Sequence, residues 1–269
     1  MSIARRLAAL FGTSDPDVIA WLKAGVANGG FYTALDVAMA TAFVAADKAS
    51  GAFYLTDDYR VHCVASQVLA MTSLKKRVLA TAFGSPVHTA YRDVTTNGLS
   101  SYLNTNFTPS TDAAAMTKDS VHVEVFERTN VSGNGVAIGG TSGSNRSIAM
   151  QTRNGGNALC DSNSAFGVFT LPAATSVGLT QSGRSGPLAT DAYAAKDGVD
   201  MVRTTTPSGL GASLPAHALF IGAFNNQGTA ANLRGSAYLG GAYGAALSGA
   251  QRLARANAWL AWARGVGAA

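Results

Sequence analysis

Acidic side chains are scarce and unevenly placed in this chain. Its 269 residues hold two glutamates, Glu124 and Glu127, and no acidic residue follows Asp200. Glycoside hydrolysis normally needs two carboxylates converging on one sugar bond. On a strand these two glutamates are three apart and point to opposite faces, so they form no dyad by themselves. Asp161, Asp191, Asp197 and Asp200 sit near turn residues, where capping a turn is the expected task. Charged residues make up 13% of the chain, against a usual share of about 25%. A highly charged helical protein is therefore excluded.

Cysteine is also rare. Cys63 and Cys160 form no CxxC pair and are too few for a disulfide scaffold, so buried free thiols without an intrachain bridge are expected. The four histidines, His62, His88, His122 and His217, show no HExxH or other short ligand spacing. Each is read as a surface or hydrogen-bonded histidine, and no metal site is expected. No apolar run is long enough to span a bilayer, so no membrane insertion is expected. The start, Met1-Ser2-Ile3-Ala4-Arg5-Arg6, is basic, but the apolar stretch after it is soon interrupted by Asp15-Pro16-Asp17. A signal peptide is not expected.

Nucleotide chemistry has no foothold either. Gly133-Asn134-Gly135-Val136-Ala137-Ile138-Gly139 follows a predicted strand, but its third glycine is one position late for a dinucleotide loop. Residues 140–145 are turn formers that cannot open a phosphate-binding helix. A hairpin or strand edge is the expectation there. No GxxxxGK stretch exists. Ser182-Gly183-Arg184-Ser185-Gly186 lacks the form of a nucleophile elbow and is read as a loop. No cofactor and no catalytic residue are assigned.

What the chain does have is glycine (30 residues), a 47% hydrophobic share and a net charge of +5. The basic excess lies late, at Arg203, Arg234, Arg252, Arg255 and Arg264. Five arginines so dispersed form no dense stripe. Solvated surface charge is expected, without a specific nucleic-acid partner. Tyr193, Tyr238, Tyr243, Trp259 and Trp262 suit either sugar stacking or interfaces.

The first eighty residues read as helical. Ser14 or Asp15 caps a helix that Pro16 opens, Val18, Ile19, Leu22 and Val26 recur at helical spacing, and Asn28-Gly29-Gly30 stops it. A second helix over about 32–48 carries Leu35, Met39, Ala42, Phe43 and Ala46 and closes at Ser50-Gly51. A third is expected over about 61–80, with Thr72-Ser73 as an interruption. After Gly84-Ser85-Pro86 short apolar runs alternate with Gly, Ser, Asn and Thr. The clearest strand covers 121–128, with Val121, Val123 and Val125 on one face and His122, Glu124 and Phe126 on the other. Further strands are expected over 101–107, 135–138, 147–152, 167–171, 175–180, 199–204, 218–224 and 236–239, giving two antiparallel sheets within about 95–245. Ser248 with Gln251 fits a capping box for a closing helix. Its buried stripe is expected at Leu253, Ala256 or Asn257, Leu260 and Ala263, with Arg252 and Arg255 solvated.

A family resemblance adds to this reading. Residues 97–111, Asn-Gly-Leu-Ser-Ser-Tyr-Leu-Asn-Thr-Asn-Phe-Thr-Pro-Ser-Thr, resemble the opening of a concanavalin-like, LamG-like domain found in tailed-phage and prophage structural proteins. Residues 122–130, 219–228 and 239–251 resemble its next strand, a late strand and turn, and its exit into a closing helix. The resemblance implies a jelly-roll-like sandwich over 85–269, with a helical N-terminal region over 1–84. It further implies a non-enzymatic virion component, tail or baseplate associated and made in the bacterial host cytoplasm. The implied partners are other phage structural proteins, with homo-oligomers or repeated copies. The alternative is a carbohydrate-binding module for host-surface glycans, and a weaker third option is a glycan-cleaving enzyme. The paired glutamates of laminarinase-like relatives are absent. A binding module should expose aromatics and Asn or Asp on one sheet face. A structural component should bury that face in protein contacts.

Overall fold

The computed structural model describes residues 15–143, 147–164, 168–205 and 209–268. The basic start, Ser14, Asn145 and Gly167 lie outside the described residues. The first helix, α1 (Pro16–Ala27), is capped by the Asp15 carboxylate, which accepts from Asp17 N–H. Helix α2 (Ala34–Ser50) starts at a Thr33/Asp36 capping box and stops at Gly51, whose φ of +80° is the left-handed conformation that glycine adopts without strain. A single turn, α3 (Ala52–Leu55), leads into β1 (Thr56–Val61).

The third expected helix shrinks to α4 (Gln67–Met71). The chain leaves the helix at Thr72, which forms a β-bridge with Leu79, while β1, just before that helix, is a wholly buried strand of polar spelling. Thereafter come β2 (Thr81–Phe83), β3 (Val87–Thr89), β4 (Asp93–Thr95), β5 (Tyr102–Asn104), the short helix α5 (Pro109–Asp112) and β6 (Val121–Glu127). Next are β7 (Ile138–Thr141), β8 (Ser147–Asn154), β9 (Asn157–Ser164), β10 (Phe169–Pro172), β11 (Gly178–Arg184), β12 (Ala192–Lys196) and β13 (Val199–Asp200). The chain ends with β14 (Phe220–Ile221), β15 (Phe224–Asn226), β16 (Thr229–Ala231), β17 (Ala237–Gly244) and the closing helix α6 (Gly249–Gly265), opened by the Ser248/Gln251 capping box.

These strands build two antiparallel sheets flanked by the helices. The first runs β13-β12-β11-β6-β17-β4-β3, with β1 also beside β17. The second runs β10-β9-β8-β7-β14-β5-β2, with β15 joining β7 in a parallel pairing and β16 joining β15. Strands extend well before residue 95. Both β1 and β2 precede residue 85, yet each hydrogen-bonds into a different sheet, so the sheets do not respect the expected division at 84/85.

Strand β6 is buried on both faces. Val121, Val123 and Val125 are fully buried, and Ser182, paired with Val123, meets Ser162 of the other sheet at 2.7 Å. That face is the inter-sheet core. The opposite face lies under α6, where Glu124 accepts from Trp259 Nε1 at 3.0 Å. Helix α2 packs on α6 through Phe43, whose ring centroid is 5.0 Å from that of Trp259 and 5.4 Å from that of Trp262. Leu22 and Phe43 are buried against the chain's own sandwich, whereas Val26 and Leu35 are exposed. The buried face of α6 is Arg252, Arg255, Ala256, Ala258, Trp259, Trp262 and Ala263, which keeps Ala256 and Ala263 of the expected stripe but leaves Leu253 exposed and Leu260 half-buried. Two arginines are thus turned inward, because carboxylates wait beneath them.

Candidate functional site

The inward arginines explain where the carboxylates go. Arg255 donates to Asp47 at 2.5 Å and to Glu124 at 2.9 Å, all three groups being fully buried. Burial raises the Glu124 carboxyl pKa, but the Arg255 charge, the His122 charge and the Trp259 and Gln181 donors outweigh it and hold the group below its ordinary value. On the inter-sheet face, Glu127 accepts from Arg234 Nε at 2.6 Å and from Thr152 Oγ1 at 2.5 Å. The two glutamates therefore lie on opposite faces of β6, and each is saturated by an internal partner. Asp58, on β1, pairs with Arg60 at 3.0 Å and accepts from Tyr243 Oη at 2.6 Å. These are structural clusters joining helices, loops and sheets.

The other aspartates are engaged locally. Asp191 accepts from Leu188 N–H and Asp197 from Leu179 N–H, both at 2.7 Å. Asp200 holds Arg252 at 2.6 Å. Asp161 accepts from Ser164 N–H at 2.9 Å, and burial pushes its carboxyl up to about 7. Surface solvation fails for Arg234, Arg252 and Arg255, all buried and ion-paired. Among the histidines, His62 and His122 are buried rather than superficial. Burial and the neighbouring Arg60 and His88 charges take His62 down to about 3. Burial takes His122 down to about 4, and its Nδ1 lies 2.5 Å from the Ala245 carbonyl. Among the described residues no group of His, Cys, Asp and Glu has the arrangement of a metal site. Cys63 and Cys160 are both free and buried. Ser182, Gly183 and Arg184 lie in strand β11 and not in a loop.

Two surfaces compete as a ligand site. One is a polar groove of about 650 Å³ beside the start of α6, containing Asp191, Tyr193, Ser248 and Gln251. Its polar groups are already engaged. Ser248 and Gln251 cap α6, and Tyr193 Oη accepts from Leu247 N–H at 2.9 Å. Arg252 covers the Tyr193 ring at 4.0 Å. Gly183 also lies directly against the Tyr193 phenol, so close that no other residue type fits there. The ring is closed to a stacking ligand.

The other surface is the outer face of the second sheet. Burial alternates along β8, with Ser147, Ala149, Gln151 and Arg153 half-buried and Ile148, Met150 and Thr152 buried. In β5, Leu103 is buried while Tyr102 and Asn104 are half-buried. Cross-strand partners share a face. The register Thr81–Asn104–Phe220–Gly139–Ala149–Asp161 therefore lays one row across the outer face, in which Phe220, Gly139 and Asp161 are buried and Asn104 and Ala149 half-buried. Beside its first members stands a stack of three rings. Phe83 and Tyr102 are parallel, with centroids 4.8 Å apart and an interplanar angle of 7°. Tyr102 stacks on Phe220 at 4.8 Å and 27°. Phe83 ends the stack on the edge strand β2 and is 42% exposed.

Next to this stack the row continues in the small residues Gly139 and Ala149. Amides stand on either side. Asn104 Oδ1 accepts from Asn106 N–H at 2.9 Å, and Gln151 Oε1 accepts from Asn154 Nδ2 at 3.2 Å. Both amide nitrogens are left without a protein acceptor among the described residues. Asn104 and Gln151 lie three strand spacings apart and two residues off register, about 16 Å. The five aromatics noted from sequence play no part here, since Tyr238, Tyr243, Trp259 and Trp262 are buried. Phe83 lies between the expected third helix and the turn at Gly84-Ser85-Pro86 and draws no reading of its own from sequence. Tyr102 was legible in part, as one side of the strand expected over 101–107.

No protein-family model matches the sequence, and no curated protein matches it. Solved structures do. One is domain 4 of AbnA, a GH43 extracellular arabinanase from Geobacillus stearothermophilus, in complex with arabinotriose. It is 13% identical, with a TM-score of 0.44 over 75% of this chain and 98% of that one. A second is the CBM40 of the Ruminococcus gnavus IT-sialidase bound to α2,6-sialyllactose, 13% identical, with a TM-score of 0.39 over 63% of this chain and 94% of that one. A third is the Trypanosoma rangeli sialidase, 9% identical, with a TM-score of 0.44 over 73% of this chain and 31% of that one. None of these is a virion component. They overturn the expectation of a tailed-phage structural protein, and with it the phage partners, the repeated copies and the tail or baseplate location.

Proposed function

We propose that this chain is a non-catalytic glycan-binding module that uses the outer face of its second sheet. The observation that carries the reading is the stack Phe83–Tyr102–Phe220, open at Phe83, beside the small residues Gly139 and Ala149. Sugar rings present apolar C–H faces and a rim of hydroxyls. An open aromatic ring accepts the first, and the free amide donors of Asn104 and Gln151 suit the second. The width between those amides suits a short oligosaccharide. The saturation of Glu124 and Glu127 by internal partners supports binding without hydrolysis, because neither carboxylate is left to give or take a proton.

The test is a glycan array probed with the full chain and with Phe83→Ala. The reading expects saturable binding to a subset of glycans, lost or strongly reduced in the variant. Absence of binding to every glycan, or equal binding by both proteins, overturns it. Release of shorter sugars from a bound glycan would overturn the non-catalytic part alone.

A further inference from the structure

Most interior arginines of this protein hold a carboxylate, while Arg184 donates to the Ser162 and Leu188 carbonyls. Arg60, Arg234, Arg252 and Arg255 each hold a carboxylate. Lys75 donates to the Phe53 and Thr56 carbonyls and rests on the Phe53 ring. Lys196 differs. It lies at the end of β12, cross-strand from Thr180. Its Nζ donates to the Ser176 carbonyl at 3.1 Å and to Thr180 Oγ1 at 3.2 Å. Among the described residues no carboxylate lies at ion-pair distance. An ammonium has three N–H donors, so one is left over.

Lys196 lines a cavity of about 190 Å³ between the two sheets. Thr152, Ala158 and Pro172 line it from the second sheet and Thr180 and Lys196 from the first, with Thr175 and Met201 also in the lining. Three threonines, Thr152, Thr175 and Thr180, and the one lysine stand among otherwise apolar lining residues. Burial takes the Lys196 pKa down to about 8, while the Asp197 and Glu127 charges pull it up and the Arg234 charge pulls it down. The amine is therefore still mostly protonated at neutral pH. Glu127 cannot serve as its counter-ion, being held by Arg234 and Thr152. Asp197 is turned to Leu179 N–H.

A half-buried cation without a counter-ion is unfavourable, and an anion that enters supplies the missing partner. We infer that this cavity is a binding site for a small monocarboxylate, its carboxylate on Lys196 and its short hydrocarbon tail against Ala158, Pro172 and Met201. The volume holds about six water-sized groups, which suits a chain of about four carbons. The site is separate from the outer face of the second sheet and does not depend on the glycan-binding reading.

The test is an NMR titration of the full chain with butyrate, butanol and butylammonium at pH 6.5, following the Lys196 side chain and the Met201 methyl. Butyrate should shift both signals saturably and bind at least about tenfold more tightly than butanol, with no response to butylammonium. The response should vanish in Lys196→Met and persist in Phe83→Ala. An equal response to butanol, no response to butyrate, or full butyrate binding by Lys196→Met overturns the inference. Should Lys196→Met fail to fold, the comparison of butyrate with butanol on the unaltered chain decides.

Discussion

The guanidinium of Arg255 donates to Glu124 at 2.9 Å where α6 crosses β6, and both side chains are fully buried. This contact fixes the helix to the first sheet and explains why α6 turns a charged residue inward. Removing one member of a buried ion pair strands the others and costs about 3–5 kcal/mol. Arg255→Met should therefore lower unfolding stability by about that amount, seen as a lower denaturant midpoint with an unchanged slope. A loss below about 1 kcal/mol would show that Asp47 and Glu124 find other partners.

Val123 probes the other face of the same strand. It is fully buried between the sheets, with the neutral Ser182 as a cross-strand neighbour. Val123→Asp should destabilise the fold by roughly 4 kcal/mol. Equilibrium urea unfolding measures it, with Val123→Ile as the volume control. Equal stability of the Asp variant and the unaltered chain would contradict the placement of β6.

Two buried histidines predict acid sensitivity. His62 and His122 have folded-state pKa values lowered to about 3 and about 4, from an ordinary 6.5. Between those values and 6.5 the unfolded chain binds more protons than the folded one, so stability falls as pH falls. The loss by pH 4.5 should be on the order of a few kcal/mol. His62→Gln should show a shallower decline over that window, measured by urea unfolding at half-unit pH steps. An unchanged slope would place His62 in contact with solvent.

Asp161 predicts the opposite sign. Its pKa is raised to about 7 from 3.8, so the folded chain holds a proton that the unfolded chain releases. Stability from this group is retained below 3.8 and lost as pH rises toward 7. Asp161→Asn removes that dependence. Its stability relative to the unaltered chain should grow by a few kcal/mol, to order of magnitude, between pH 4 and pH 7. A constant difference across that range would contradict the burial of the carboxyl.

Much of the architecture was legible in local spacing. The capped starts of α1 and α6 and the alternation in β6 each declare themselves within a few residues. What was hidden depends on partners remote in sequence. Strand β1 reads Thr-Asp-Asp-Tyr-Arg-Val, a solvent-like spelling, yet all six residues are buried because Asp57, Asp58 and Arg60 have partners elsewhere. Asp57, for example, accepts from the Ala114, Ala115 and Met116 N–H groups. Arg255 was misread for the same reason, since Asp47 and Glu124 lie far from it along the chain. The ring stack was invisible because Phe83 and Tyr102 become neighbours only through the β2–β5 register. The unpaired state of Lys196 is likewise a property of three dimensions.

Isothermal titration of the full chain with the best array glycan tests glycan binding most directly, comparing the unaltered protein with Phe83→Ala and Tyr54→Ala. Tyr54 is 65% exposed on α3, remote in the fold from the ring stack, and controls for any exposed aromatic ring. Loss of a stacking ring should cost about 1.4 kcal/mol, a tenfold weakening. The account predicts that weakening in Phe83→Ala, with unchanged thermal stability, and no change in Tyr54→Ala. Equal affinity in all three proteins would contradict it.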